Sequence, residues 1–119
     1  MFIDTSDALN LMAFDAATRD IRWQFFTGGW TWAQPMIDDN TVYIGAISAF
    51  PYYFEGVDLE RGFFAVDATT GQPVLDFGDR GRVDLMEGIP RAVRGETNYR
   101  GRNLLGVASP PIVAHDVVV

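Results

Sequence analysis

Apolar residues in this chain come in short runs rather than in helical stripes. Pro35–Ile37, Val42–Gly45, Phe63–Val66 and Gln72–Phe77 are each rich in β-branched, aromatic or other apolar side chains, and turn-forming residues separate them. That pattern predicts four strands. Asp38-Asp39-Asn40 links the first two runs, and Asp67-Ala68-Thr69-Thr70-Gly71 links the last two. In the second turn Asp67 stands where its carboxylate meets backbone amides ahead of it, and Gly71 stands where positive φ closes a hairpin. No segment has the periodicity of a helix longer than one turn.

The same unit occurs twice. Leu11–Arg19 recurs 52 residues later as Phe63–Gly71, with Ala, Asp and Thr in register, and Pro35–Ile44 recurs 75 residues later as Pro110–Val119. One four-stranded antiparallel sheet cannot bury both of its faces alone, so repeated sheets of this size stack as propeller blades. The expected fold is all-β: a β-propeller fragment of four-stranded antiparallel blades, one complete and two partial. Residues 1–29 end a first blade, 30–77 form the complete blade, 78–106 are an inserted loop and 107–119 start a third blade. With strands lettered A to D, Met1–Ile3 falls in strand B of the first blade. Closed propellers need at least about four blades, so the chain is expected to be a piece of a longer protein and to pack against the remaining blades of the same propeller.

Composition narrows the function classes. With 48% hydrophobic and 13% aromatic residues the chain has ample material for a core. Its formal charge of −7, with every one of the nine bases an arginine, repels phosphate backbones and excludes nucleic-acid binding. The absence of Cys removes disulfides, thiolate metal sites and cysteine nucleophiles. No apolar run approaches the roughly 18 residues that span a bilayer, and Met1–Asp7 lacks the basic and apolar segments of an export signal. No Ser/His/Asp arrangement, P-loop or dinucleotide fingerprint is present, and no catalytic residue is assigned.

The repeated turn carries a family resemblance. Ala13, Asp15, Thr18, Arg19 and Trp23 resemble the tryptophan-docking pattern A-x-D-x-x-T-G-x-x-x-W of propellers of the PQQ (pyrroloquinoline quinone) type, with Arg19 in place of Gly. Ala65, Asp67, Thr70, Gly71 and Leu75 resemble it again, with Leu75 in place of Trp. A Trp at that spacing is expected to lie between adjacent sheets, and Arg19 in a left-handed conformation is expected to cost about 1–2 kcal/mol. Trp32-Ala33-Gln34-Pro35 and Ala108-Ser109-Pro110-Pro111 are similar to the family's opening of a blade. Asp76–Leu85, followed by Ser109–Val113, is similar to the stretch between blades in quinoprotein glucose dehydrogenases.

The resemblance implies an eight-bladed quinoprotein dehydrogenase, periplasmic or extracellular, that holds PQQ with Ca2+ on the propeller axis. Its substrate would be a small-molecule alcohol or sugar, and the fragment alone is expected to be inactive. The alternative is a non-catalytic propeller of the same type, acting as a binding or scaffold module.

Repeat comparison also locates the candidate site. The B–C connection is 11 residues longer in the second repeat than in the first, and the following D–A connection 23 residues longer, so both insertions fall at one end of the blades. Long loops gathered on one face of a rigid scaffold are where binding concentrates. In quinoprotein alcohol dehydrogenases the B–C connection carries G-G-A-E, whose Glu ligates Ca2+, ahead of an Arg-Gly pair. Here G-G-A-E is absent, Arg61-Gly62 matches the pair, and Glu55 is the nearest acid.

Glu55 is thus the metal candidate and Arg61 a cofactor-binding candidate. The bland readings are a solvated loop acid and a surface ion pair with Glu60 or Asp58. The D–A insertion holds Arg80, Arg82, Arg91, Arg94, Arg100 and Arg102, and Arg100 is the second cofactor-binding candidate; otherwise this basic loop pairs with acidic surface. His115 and Asp38-Asp39 are read as turn residues at the opposite end. Trp30 and Trp32, with Phe25, Phe26, Gly28 and Gly29, are read as inter-blade core and its tight turn.

Overall fold

The computed structural model describes residues 1–5, 8–46, 62–85, 87, 110–115 and 117–118. Among them the chain is all-β and antiparallel, without a helix. Strands β1 (Phe2–Thr5), β2 (Asn10–Phe14) and β3 (Ile21–Phe26) form a three-stranded meander. Strands β4 (Met36–Asp38), β5 (Thr41–Ala46), β6 (Gly62–Asp67) and β7 (Arg82–Val83) form a four-stranded one, and β8 (Val113–Ala114) pairs with β9 (Val117–Val118). These correspond to strands B to D of one blade, a complete second blade, and strands A and B of a third.

Alternation along the strands explains how the first two sheets meet. Leu11 and Ala13 on β2 and Val42, Ile44 and Ala46 on β5 are buried, as are Phe64 and Val66 on β6. One cluster joins Leu11 of the first sheet to Val42, Ile44, Phe64 and Val66 of the second, with Phe2, Trp23 and Phe25 packed on it. Each fully buried aliphatic side chain contributes about 1.5–3 kcal/mol relative to exposure. Phe25 meets Phe64 edge to face across the junction, with ring centroids 5.7 Å apart. Because β3 alternates, Phe26 points the other way and is 65% exposed, and Trp32 is 49% exposed. Those two therefore lie outside the inter-blade core that the sequence suggests for them, whereas Phe25 packs against that core and Trp30 is buried.

The outer strand of the second blade departs from the sequence reading. Gln72–Phe77 is not a continuous strand: Pro73 makes a single bridge to Val66, and the chain then turns away. Ala65 records the interruption on its two backbone groups, accepting from the Val74 N–H and donating to the Gly81 carbonyl, each at 2.9 Å. Residues 75–80 thus form an excursion, after which β7 resumes the pairing opposite Phe63 and Phe64. Two causes are visible. Proline has no N–H to continue the ladder, and Gly78, Arg80 and Gly81 all take positive φ and reverse the chain. Arg82–Val83 falls within residues 78–106, read from the sequence as loop, yet belongs to this sheet.

The third sheet shifts the second sequence match by one residue. Asp38 pairs with Thr41 in the β4–β5 hairpin as Ala114 pairs with Val117 in the β8–β9 hairpin, so these hairpins align at an offset of 76. Asp39 and His115 take the same role, each at positive φ.

Candidate functional site

Hydrogen bonds identify the two ends of the blades. At one end Asn40, in the A–B turn, donates from Nδ2 to Asp67 Oδ2 at 2.7 Å and accepts from the Thr69 hydroxyl at 2.9 Å, tying that turn to the C–D turn. At the other end Thr27, which opens the D–A connection, donates both its backbone N–H and its hydroxyl to the carbonyl of Leu9 in the B–C connection. B–C and D–A connections therefore share an end, and both insertions emerge there.

The acids of the turn end are committed to closing the turns. Asp15 Oδ1 accepts from the amides of Ala17 and Thr18, and its Oδ2 accepts from Arg22 at 2.8 Å. These partners, the Thr18 amide foremost, hold its carboxyl at about 2. Asp67 repeats the arrangement: its Oδ1 accepts from the Thr70 hydroxyl and from the amides of Thr70 and Thr69, and its pKa is lowered for that reason, the Thr70 hydroxyl contributing most. Asn40 was not legible as a partner, since its bonds cross 27 and 29 residues.

The docking side chain is where the motif places it. Trp23 donates from Nε1 to the Ala68 carbonyl at 3.1 Å, in the C–D turn of the next blade. A Cβ at Gly71 would stand 2.7 Å from Trp23 Cγ and Cδ2, so the ring lies directly on that glycine. Gly71 at φ 73 thus meets two demands, backbone and space. Arg19 takes the equivalent left-handed conformation, φ 67, despite its side chain.

At the insertion end, Gly62 opens β6 and Arg82 packs beside it; Arg82 Nη2 lies 4.0 Å from Asp84. Glu55, Arg61 and Arg100 lie outside the described residues, so no geometry brings them together or separates them. Among the described residues no three of Asp, Glu and His converge as a cation site would require. Also among the described residues, no helix is long and apolar enough to cross a membrane.

Comparison with known proteins agrees with this architecture. The chain matches, over residues 1–119, the PQQ family described as glucose/ethanol/alcohol dehydrogenase, beta-propeller domain. No curated protein and no solved structure matches it. With the match covering the whole sequence, and a tryptophan of one blade seated on the turn of the next, the chain belongs to this PQQ β-propeller family.

Proposed function

We propose that this chain is part of a PQQ-dependent dehydrogenase that oxidises an alcohol or a sugar in the periplasm or outside the cell. The observation that carries the reading is the family match over all 119 residues. What PQQ supplies when bound is a two-electron acceptor; the protein's part is to bind, orient and exclude water. Glu55 is the candidate ligand for Ca2+, with Arg61 and Arg100 the candidate partners of the quinone carboxylates. By sequence position all three fall in the two long insertions, the kind of variable loop on which binding concentrates.

The test is reconstitution of the full-length protein with PQQ and Ca2+, followed by dye reduction across a panel of alcohols and sugars. Turnover with at least one substrate class, and stoichiometric quinone uptake, is the expected result. A second reading, a non-catalytic scaffold of the same fold, is favoured by the missing G-G-A-E between Ala46 and Arg61. It is the correct one if PQQ titration detects no binding and no substrate turns over.

A further inference from the structure

We propose that the cleft between the first and second blades, on their outer strands, binds a small organic carboxylate with an apolar body. The cleft encloses about 290 Å3, and its lining includes Phe25, Phe26, Phe64, Asp79, Arg80 and Arg82. Its walls are β3 and the segment around β7, the outermost strands of their sheets. The site is therefore peripheral, and it does not rest on the quinone reading.

Three observations converge on it. The apolar part is built from two aromatic rings, Phe25 and Phe64, which meet edge to face at 5.7 Å on the cleft wall. Aromatic rings in the wall of a concave site offer a ligand an apolar contact.

The charge is the second. Among the described residues Arg80 is exposed and has no hydrogen-bond or ion-pair partner, whereas Arg82 has Asp84 at 4.0 Å. Asp79 is the one acid in the described lining, against two guanidiniums. Arg80 is thus the cation available to an incoming anion.

The backbone is the third. Arg80 sits at φ 54 within the excursion of residues 75–80, between glycines at positive φ. The first blade has no such excursion, its outer strand pairing with β2 from Ile21 to Phe26. Non-glycine residues held in this region collect at ligand clamps.

The chemistry follows from the lining. A guanidinium receives a carboxylate through two parallel hydrogen bonds, and the rings contact the body of the molecule. An inorganic anion leaves the rings unused, and a neutral aromatic leaves Arg80 unpaired. The volume lies at the small end of ligand pockets and suits roughly ten heavy atoms, the size of phenylacetate.

Calorimetric titration of the full-length protein with phenylacetate, at low salt and without quinone, tests the site. Arg80→Gly is the informative variant, because glycine adopts the same φ without strain and the fold is retained, as a thermal melt will verify. Saturable phenylacetate binding that weakens by about tenfold or more in Arg80→Gly is the expected result, with weak binding of neutral 2-phenylethanol the same in both proteins. The proposal is overturned by no saturable phenylacetate binding, by unchanged affinity in Arg80→Gly, or by equal weakening of the neutral analogue.

Discussion

The C–D turns of the two blades begin alike and end differently. In the first, Asp15 organises its turn, Arg19 takes the left-handed position, and Trp23 crosses to the neighbouring blade. In the second, Asp67 organises the same turn, Gly71 takes the left-handed position, and Leu75, where Trp would be expected, is 65% exposed. The turn is local chemistry, complete within a few residues and indifferent to the chain downstream of it. Docking is not local: it needs a straight outer strand to deliver the indole and a bare glycine to receive it. The first blade has the strand and the second has the glycine, so this junction is complete. Beyond the second blade the outer strand loops out at Leu75, and the third sheet meets the second through the Val113 N–H on Met36 Sδ at 3.2 Å.

Removing the docking group should have the largest effect. Trp23→Ala is expected to destabilise the full-length protein by about 3 kcal/mol in denaturant titrations, because it opens the inter-blade core and deletes the bond to Ala68. An unchanged midpoint would leave the docking account without support. Gly71→Ala comes next, at about 2 kcal/mol, from positive φ and overlap with the indole. Combining the two changes sharpens the comparison, since without the indole only the backbone part should remain, and a double-mutant cycle should return a coupling of about 1 kcal/mol. Fully additive effects would mean that the ring does not rest on the glycine.

Arg19→Gly runs the opposite way and should raise stability by about 1 kcal/mol. A melting temperature that falls would mean the arginine side chain has a structural partner. The turn acids give the smallest, pH-dependent effect. Their folded pKa values are lowered, so their contribution is present above the unfolded value of 3.8 and is lost as pH falls, for Asp15 down through about 2. Melting curves between pH 6 and pH 2 should show this acid-side loss, and Asp67→Ala should reduce it. An identical pH profile in the variant would contradict the assignment.

Much of the fold was legible because its signals are local. Asp15, Asp67 and Gly71 announce turns by their own chemistry, and the short apolar runs around Val42 and Phe64 between turn residues mark strands. The split outer strand was not legible. Its apolar run, Val74-Leu75 with Phe77, reads as a strand, and the three residues at positive φ that end it come only afterwards. The Asn40 lock was hidden for a different reason, since an asparagine in a turn gives no sign of a partner far along the chain. As for the site, repeat spacing found the end of the blades that carries the insertions, and the Thr27 to Leu9 bonds agree with it. The side chains proposed for the cofactor, Glu55, Arg61 and Arg100, remain readings of sequence.

The most direct measurement is nuclear magnetic resonance of the full-length protein with labelled tryptophan and glycine. Stacking on Gly71 predicts cross-relaxation between the Trp23 ring and the Gly71 α protons, together with slow solvent exchange of the Trp23 indole N–H bonded to Ala68. A fast-exchanging indole with no contact to Gly71 would contradict the docking of one blade on the next.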